Sequence, residues 1–340
     1  MHPASLGVAL RQAGALLFLT VAVACGGSPT KPTPTPDPPS ISCPGNVTAS
    51  STNGQTADVT FVMPTTQNGS PPVSVACAPG SGSTFTVGTT TVACTATDAT
   101  SRTASCSFDV SVTAPAKLSA VKFMAFGDSM TQGVTSLIAT MLAYNPNDAY
   151  PLKLQALLAA RYTSQVTRVI NEGVAGEQAD GEGKRRFGRT LDADKPDVVL
   201  LLEGANDLNH YLITAGDADE GVTPAARALE EMVDAANKKG IPVLLATLPP
   251  QDPEGKNGHS AGTVPKLNDA IRHLAHGDEV VIVDLFNGLG GVPAGTIGAD
   301  GLHPTPAGYD RIAQIWFEAI QKQYEEPGSP PPTLSLKRPR

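Results

Sequence analysis

Two hydrophobic periods divide the chain. From Ile41 to about Val112, apolar positions alternate with polar ones: Val59, Phe61 and Met63 fall on one face, as do Cys106, Phe108, Val110 and Val112. A period of two predicts half-buried strands. Turn residues punctuate the block at "TNGQ", "QNGSPP" and "PGSGS", and short strands in that rhythm predict a small β-sandwich over residues 41–112. From about Ser119 to Glu326 the pattern changes. The runs "VKFMAF", "VTRVI", "VVLLL", "IPVLLATL" and "VVIVDLF" are continuous apolar stretches and predict buried parallel strands. Helical periodicity lies between them. One predicted helix sets Leu229, Met232, Val233 and Ala236 on a single face and stops at Gly240 before Pro242; another starts at Thr305-Pro306 and carries Ile312, Ile315, Trp316 and Ala319. Strands alternating with helices predict an α/β, doubly wound domain over 119–326, with its ligand site beyond the carboxyl ends of a parallel sheet.

The ends read differently. Arg11 precedes the apolar run "AGALLFLTVAVA", too short to span a bilayer as a helix but of the length of a secretory signal core. Residues 1–24 are therefore expected to be a signal peptide. The "AVAC" at its end resembles the lipobox of bacterial lipoproteins, with Ala22 where that family favours leucine; the resemblance implies lipidation of Cys25 and an exported, membrane-anchored protein of the cell envelope. Plain cleavage after Ala24 is the alternative. Residues 25–40 are a proline- and threonine-rich tether favouring extended polyproline II, 113–118 a linker, and 327–340 a disordered tail. Of five cysteines, Cys43, Cys77, Cys94 and Cys106 lie together in the first block, and Cys25 is the odd one, which suits lipidation.

At 340 residues with 41% hydrophobic and 16% charged residues, the chain has the composition of a soluble globular protein with room for two domains. A net charge of -8 leaves no basic surplus to neutralise phosphates, so no nucleic-acid partner is expected. The stretch "AFGDSMTQG" (125–133) follows an apolar strand but lacks the Gly-Lys-Ser/Thr ending of a phosphate loop. No "GxGxxG" fingerprint or zinc-like histidine spacing occurs, so no cofactor or metal is expected.

Four short stretches fall where the parallel sheet places a site: Gly127-Asp128-Ser129 after the first strand, "NEGVAG" (171–176) after the second, "GAND" (204–207) after the third, and "DGLHP" (300–304) before the last helix. Together they hold the parts for acyl transfer. A serine hydroxyl needs a base to become a nucleophile, and neutral imidazole suits that task near pH 7. His303 is the candidate base for Ser129, and Asp300, three residues earlier, can hold its tautomer and stabilise the imidazolium. The backbone amides of Ser129 and Gly176 and the side-chain amide of Asn206 are candidate oxyanion donors.

These four blocks resemble the SGNH hydrolases, also called GDSL lipases and esterases, across about Ser119 to Glu326. The resemblance implies a flavodoxin-like three-layer fold and a metal-free serine esterase with nucleophile Ser129, base His303, its partner Asp300, and oxyanion donors Ser129, Gly176 and Asn206. Gly173 competes with Gly176 for the donor position; Gly176 closes the "N-x-G-x-x-G" stretch, as the family's donor glycine does. Met130 stands where the family's block has leucine, a volume-conserving exchange. The first block, through "SCPGNVTAS", "VACAPGSGSTFTVGTTTVACTATDAT" and "ASCSFDVSV", resembles the HYR module, an immunoglobulin-like domain. That resemblance, with first and last strands as neighbours, favours Cys43–Cys106 and leaves Cys77–Cys94.

The implied function is hydrolysis of carboxylic esters, with small acyl or O-acetyl groups, including those on polysaccharide, as substrates. Lipid or thioester substrates are the alternative, and a catalytically silent glycan-binding or adhesion protein is the rival of another class. Five further features carry expectations. "GHSAG" (258–262) matches a "GxSxG" string, but Ser260 follows a polar loop instead of a strand and reads as a loop residue. His210 is placed at the pocket wall, and His259, His273 and His276 in solvent. Thr135 to Pro151 either walls an acyl pocket or packs locally. Lys184, Arg185 and Arg186 read as a solvated basic helix face, with attraction of an anionic substrate as the alternative.

Overall fold

The computed structural model describes residues 35–138, 141–275, 279–290 and 295–326. Cys25, the signal-peptide segment, most of the tether, His276 and the tail lie outside the described residues.

The period-two block forms a strand-only unit. Gly88–Thr97 pairs with Thr103–Thr113 on one side and Ser74–Ala78 on the other, both antiparallel, and Val47–Ser50 adds parallel to Thr103–Thr113, giving a four-stranded sheet. Two further ladders join Ser40–Ser42 to Thr65–Gln67 and Thr56–Val59 to Ser83–Thr86. Val59, Phe85, Val92, Phe108, Val110 and Val112 make the core, as the alternation predicts for the last strand. Disulfides join Cys43 to Cys106 and Cys77 to Cys94. One expected strand is shorter than its pattern. It ends at Val59, because the amide and carbonyl of Phe61 are both satisfied by the Ser81 hydroxyl and Pro64 has no amide to offer a ladder. Phe61 still meets Phe108 edge-on at 4.9 Å, whereas Met63 is 42% exposed.

The chain enters the α/β body early: Ala116 and Leu118 are already buried in its core, and the Gln165 side chain both donates to the Leu118 carbonyl and accepts from its amide. Five parallel strands follow, β1 (Lys122–Gly127), β2 (Arg168–Gly173), β3 (Val198–Leu202), β4 (Val243–Ala246) and β5 (Val280–Val283), in the spatial order β2-β1-β3-β4-β5. β3 is buried at every residue, which is why it reads as an unbroken apolar run. The helices are α1 (Ser129–Gln132), α2 (Tyr150–Arg161), α3 (Lys184–Asp194), α4 (Ala205–Ala215), α5 (Val222–Asn237), α6 (Val264–Arg272), α7 (Leu285–Gly288) and α8 (Pro306–Tyr324). α5 buries Leu229, Met232, Val233 and Ala236, and α8 starts where Thr305 accepts the Gly308 amide with Pro306 in the first turn. Val134–Ile138 and Met141–Tyr144, between α1 and α2, pair as an antiparallel hairpin.

This strand order reverses direction at β1, so the loops leaving β1 and β3 diverge and open a crevice between them. Two glycines close the turns there. A Cβ on Gly127 would lie 2.0 Å from the Leu202 carbonyl oxygen, and one on Gly173 would lie 2.1 Å from the Gln132 amide nitrogen. Any side chain at either position would push the α1 turn off the sheet.

Candidate active site

Where β1 ends, Asp128 caps α1: its Oδ1 accepts the Met130 amide at 2.9 Å, and Gly133, in the left-handed region at φ 105°, ends the turn. Ser129 is thereby fixed as the first residue of α1 at the carboxyl end of the sheet. Met130 is 1% exposed and packs into the core, as a leucine replacement should.

The structure brings Ser129, His303 and Asp300 into one hydrogen-bonded line. Asp300 Oδ2 lies 2.6 Å from His303 Nδ1, and His303 Nε2 lies 2.9 Å from Ser129 Oγ. With the proton on Nδ1, the ring donates to Asp300 and accepts from the serine hydroxyl, the arrangement a general base requires. All three residues are buried to within 6% exposure. Burial pushes the Asp300 carboxyl up, but hydrogen bonds from His303 and Asn257, with the charge of His303, outweigh it and hold the pKa at about 2. The carboxylate is therefore charged at neutral pH. Asn257 was not foreseen in this role. Its Nδ2 donates to Asp300 Oδ2 at 3.0 Å and its backbone amide to the Asp300 carbonyl at 2.7 Å, so it orients the acid that orients the base.

Of the expected oxyanion donors, Gly176 and Asn206 line the same cavity as Ser129. Gly176 sits at φ 80° in a turn that Glu177 closes by donating to the Val174 carbonyl, while the Ala175 amide donates to Gln132 Oε1. Among the described residues the amides of Ser129 and Gly176 have no protein partner. Asn206 gives one N–H to the Glu177 carbonyl at 2.8 Å and only a 3.5 Å contact to Asp128 Oδ2, which leaves its second N–H weakly engaged. Gly173 is excluded from the competing role by packing: it lies against the α1 backbone, and its amide is taken by Asn171 Oδ1.

Behind the site lies a buried acidic group. Burial pushes Asp128 up to about 7, helped by the charges of Asp207 and Glu177 and opposed by the Met130 amide and His303. Glu203 is driven well above the carboxylate range, first by burial and then by Asp128, Glu177 and Asp207, and neither of its oxygens has a hydrogen-bond partner among the described residues. Arg186 is the cation facing this group, which corrects the expectation of a solvated basic face. Its Nε donates to both Glu177 oxygens at 2.7 and 2.5 Å, its Nη2 to the Glu172 carbonyl at 2.7 Å, and its guanidinium lies 3.9 Å over the Phe126 ring. The physical reason is the planar fork of arginine, which binds a carboxylate and a carbonyl at once from inside a helix face. Lys184 and Arg185 do stay at the surface, paired with Asp180, Glu231 and Glu182.

A cavity of about 740 Å³ opens over Ser129 and His303. Leu142 and Tyr144 of the hairpin and Leu212 and Ile213 of α4 line part of it, so the 135–151 segment does wall the pocket. Lys256, Asn257 and His259 line another part. His259 thus faces the cavity, whereas His210 is exposed against Tyr211 and is not part of the lining; α4 turns its side chain off that face. His273 is exposed. Ser260 is buried and donates to Asn209 Oδ1 at 2.7 Å, the behaviour of a structural loop residue.

The chain is similar to known proteins over both of its units. The pattern of the GDSL-like Lipase/Acylhydrolase family matches residues 125–311, and that of the HYR domain matches residues 35–112. A multidomain esterase of Ruminococcus flavefaciens is 28% identical over 129 residues, which is 37% of this chain and 16% of the esterase, so the matched stretch spans a small part of that relative. The crystal structure of a lipase/acylhydrolase from Enterococcus faecalis superposes with a TM-score of 0.50 at 24% identity, covering 60% of this chain and 97% of that one. Axe2, an acetylxylan esterase from Geobacillus stearothermophilus, gives a TM-score of 0.48 at 20% identity, covering 60% of this chain and 96% of its own. With the family pattern running over more than half its length and through all four site blocks, the chain belongs to the GDSL-like lipase/acylhydrolase family.

Proposed function

We propose that this protein is a serine hydrolase of carboxylic esters that works through an acyl-enzyme. The observation that carries this reading is the unbroken line Asp300–His303–Ser129 opening on the cavity. Ser129 Oγ attacks the ester carbonyl carbon while His303 Nε2 takes its proton. The negative charge that develops on the carbonyl oxygen is met by the amides of Ser129 and Gly176 and the weakly engaged N–H of Asn206. Collapse of that intermediate breaks the ester C–O bond, and the departing alkoxide takes the proton from His303. Water then repeats the sequence against the acyl-serine, releasing the carboxylic acid and restoring Ser129. Small acyl and O-acetyl esters, including those on polysaccharide, are the first substrate class. A second reading, esters or thioesters with longer acyl chains, is favoured by one feature: Tyr144 and Ile213 are 59% and 82% exposed at the cavity wall.

A panel of p-nitrophenyl esters of graded chain length, run beside acetylated oligosaccharides, tests both. Turnover that falls steeply beyond acetyl supports the first reading, a rise with chain length supports the second, and no turnover of any ester leaves only the silent binding protein.

Asn206→Ala separates an oxyanion donor from a helix residue. A donor aimed at charge that exists only in the transition state acts on kcat, and its loss typically costs a factor of about 100 to 1000 with little change in KM. A mutant with normal kcat and a lowered melting temperature would show that Asn206 only ties α4 to the Glu177 carbonyl.

A further inference from the structure

The cavity has one feature that ester hydrolysis alone does not use. Its lining includes the cation Lys256, and no Asp or Glu lines it among the described residues, in a protein whose net charge is -8. Lys256 is exposed and, like Lys195, Lys238 and Lys322, makes no ion pair among the described residues, but of these four it is the one that lines the cavity. The two acids of its own loop, Asp252 and Glu254, do not line the cavity.

The backbone that carries Lys256 is docked, residue by residue, on the turn that carries Asp300. On one side, a Cβ on Gly255 would lie 2.3 Å from the Gly301 amide nitrogen, and the Asp252 amide donates to the Gly301 carbonyl at 2.8 Å. On the other side, Asn257 holds Asp300 through both its amide and its side chain. The backbone at Lys256 is thus anchored beside the turn that carries Asp300, and its ammonium has no ion-pair partner among the described residues. A long-stemmed ammonium of this kind is a point charge that seeks an anion, with the three donors of a primary ammonium and no acceptor.

We infer that the substrate is an ester bearing an anionic group, a carboxylate, sulfate or phosphate, which Lys256 engages while the ester carbonyl lies at Ser129. This rests on the ester-hydrolase reading and narrows it. Neutral acetyl esters are then poorer substrates than anionic ones of equal reactivity, and the preference resides in Lys256.

Full-length protein and its Lys256→Gln and Lys256→Glu variants are compared on two matched pairs. 4-Acetoxybenzoate against 4-acetoxybenzamide puts the anion on the alcohol side; an aryl hemiglutarate against the aryl valerate puts it on the acyl side. Dividing the anionic-to-neutral ratio of kcat/KM in each variant by that of the unaltered protein cancels intrinsic reactivity. In at least one pair the ratio should fall about fivefold in Lys256→Gln, the upper range for a pair that keeps contact with water, and fall further in Lys256→Glu. Raising salt from about 0.1 M to about 1 M, which shortens the screening length from about 10 Å to about 3 Å, should erode the preference of the unaltered protein and not that of Lys256→Gln. Turnover of both pairs with ratios that do not change among the three proteins overturns the inference and leaves the esterase reading standing. No hydrolysis of either member by the unaltered protein overturns both.

Discussion

Ser129→Ala is expected to lower kcat on the order of a million-fold, the scale seen when the serine of a hydrogen-bonded serine–histidine–aspartate set is lost. The argument is local. Ser129 Oγ makes a hydrogen bond to His303 Nε2 at 2.9 Å, and its side chain lies at the floor of the cavity. Removing the hydroxyl takes away the one atom, among the described residues, placed both to lose a proton to the imidazole and to bond a carbonyl carbon. The backbone amides and Asn206 remain, so substrate still binds and KM changes little; what remains above the water reaction comes from those donors. The fold should hardly notice, because Asp128 caps α1 through the Met130 amide and not through the serine side chain. Two readings decide it: kcat for an activated ester, and covalent labelling by a fluorophosphonate with mass spectrometry of the 125–133 peptide. A variant that keeps more than a tenth of the activity, or that is still labelled, would move the nucleophile elsewhere. Ser260 is no substitute, since it is buried and spends its hydroxyl on Asn209.

The residues of that relay were legible in the chain because each lies within a few positions of a strand end or helix start. A parallel strand, a glycine-bearing turn and a helix form a local unit, so "GDSMT" and "GAND" announce their place in the sheet by the apolar runs before them. Asp300 and His303 share one turn and needed no long-range information. The supporting residues were not legible for the converse reason. Asn257 reaches Asp300 across 43 positions, through a loop with no period of its own, and its side chain looks like that of any polar turn residue. Arg186 was misread because helical spacing gives its face but not what lies behind it. The group behind it is the Glu177 carboxylate, buried to 1% exposure beside the turn that carries Gly176. The same gap exchanged His210 for His259: the first is near a motif in sequence, the second near the site in space. In the strand-rich unit, alternation predicted the faces of the last strand but carried the Val59 strand too far, because a single hydroxyl, that of Ser81, can end a ladder without disturbing the pattern.

Asp300→Asn is expected to lower kcat by about 10⁴-fold while leaving the fold and KM close to those of the unaltered protein. Asp300 Oδ1 accepts two backbone amides, from Leu302 at 3.2 Å and His303 at 3.0 Å, so the oxygen of the new amide must take that place. Its NH2 group is then forced to the Oδ2 position, against His303 Nδ1 and Asn257 Nδ2. Asn257 can adapt by turning its own oxygen toward the NH2. The imidazole has a different escape: it accepts at Nδ1 and moves its proton to Nε2. That tautomer points an N–H at Ser129 Oγ and can no longer take the serine's proton, so the nucleophile is in place but unactivated. Stability responds in the opposite sense at low pH. The Asp300 carboxyl lies at about 2 in the fold against an ordinary 3.8, so its charge stabilises the native state above the ordinary value, and that contribution is lost as pH falls through the folded one. The amide cannot titrate, so the variant should lack this part of the acid-range loss while remaining slow at neutral pH. Kinetics at neutral pH with melting curves recorded from neutral to about pH 2 test both halves. A variant with kcat within tenfold of normal would mean that Asp300 does not set the His303 tautomer; an unchanged acid dependence of melting would mean that its carboxylate is not held charged by the fold.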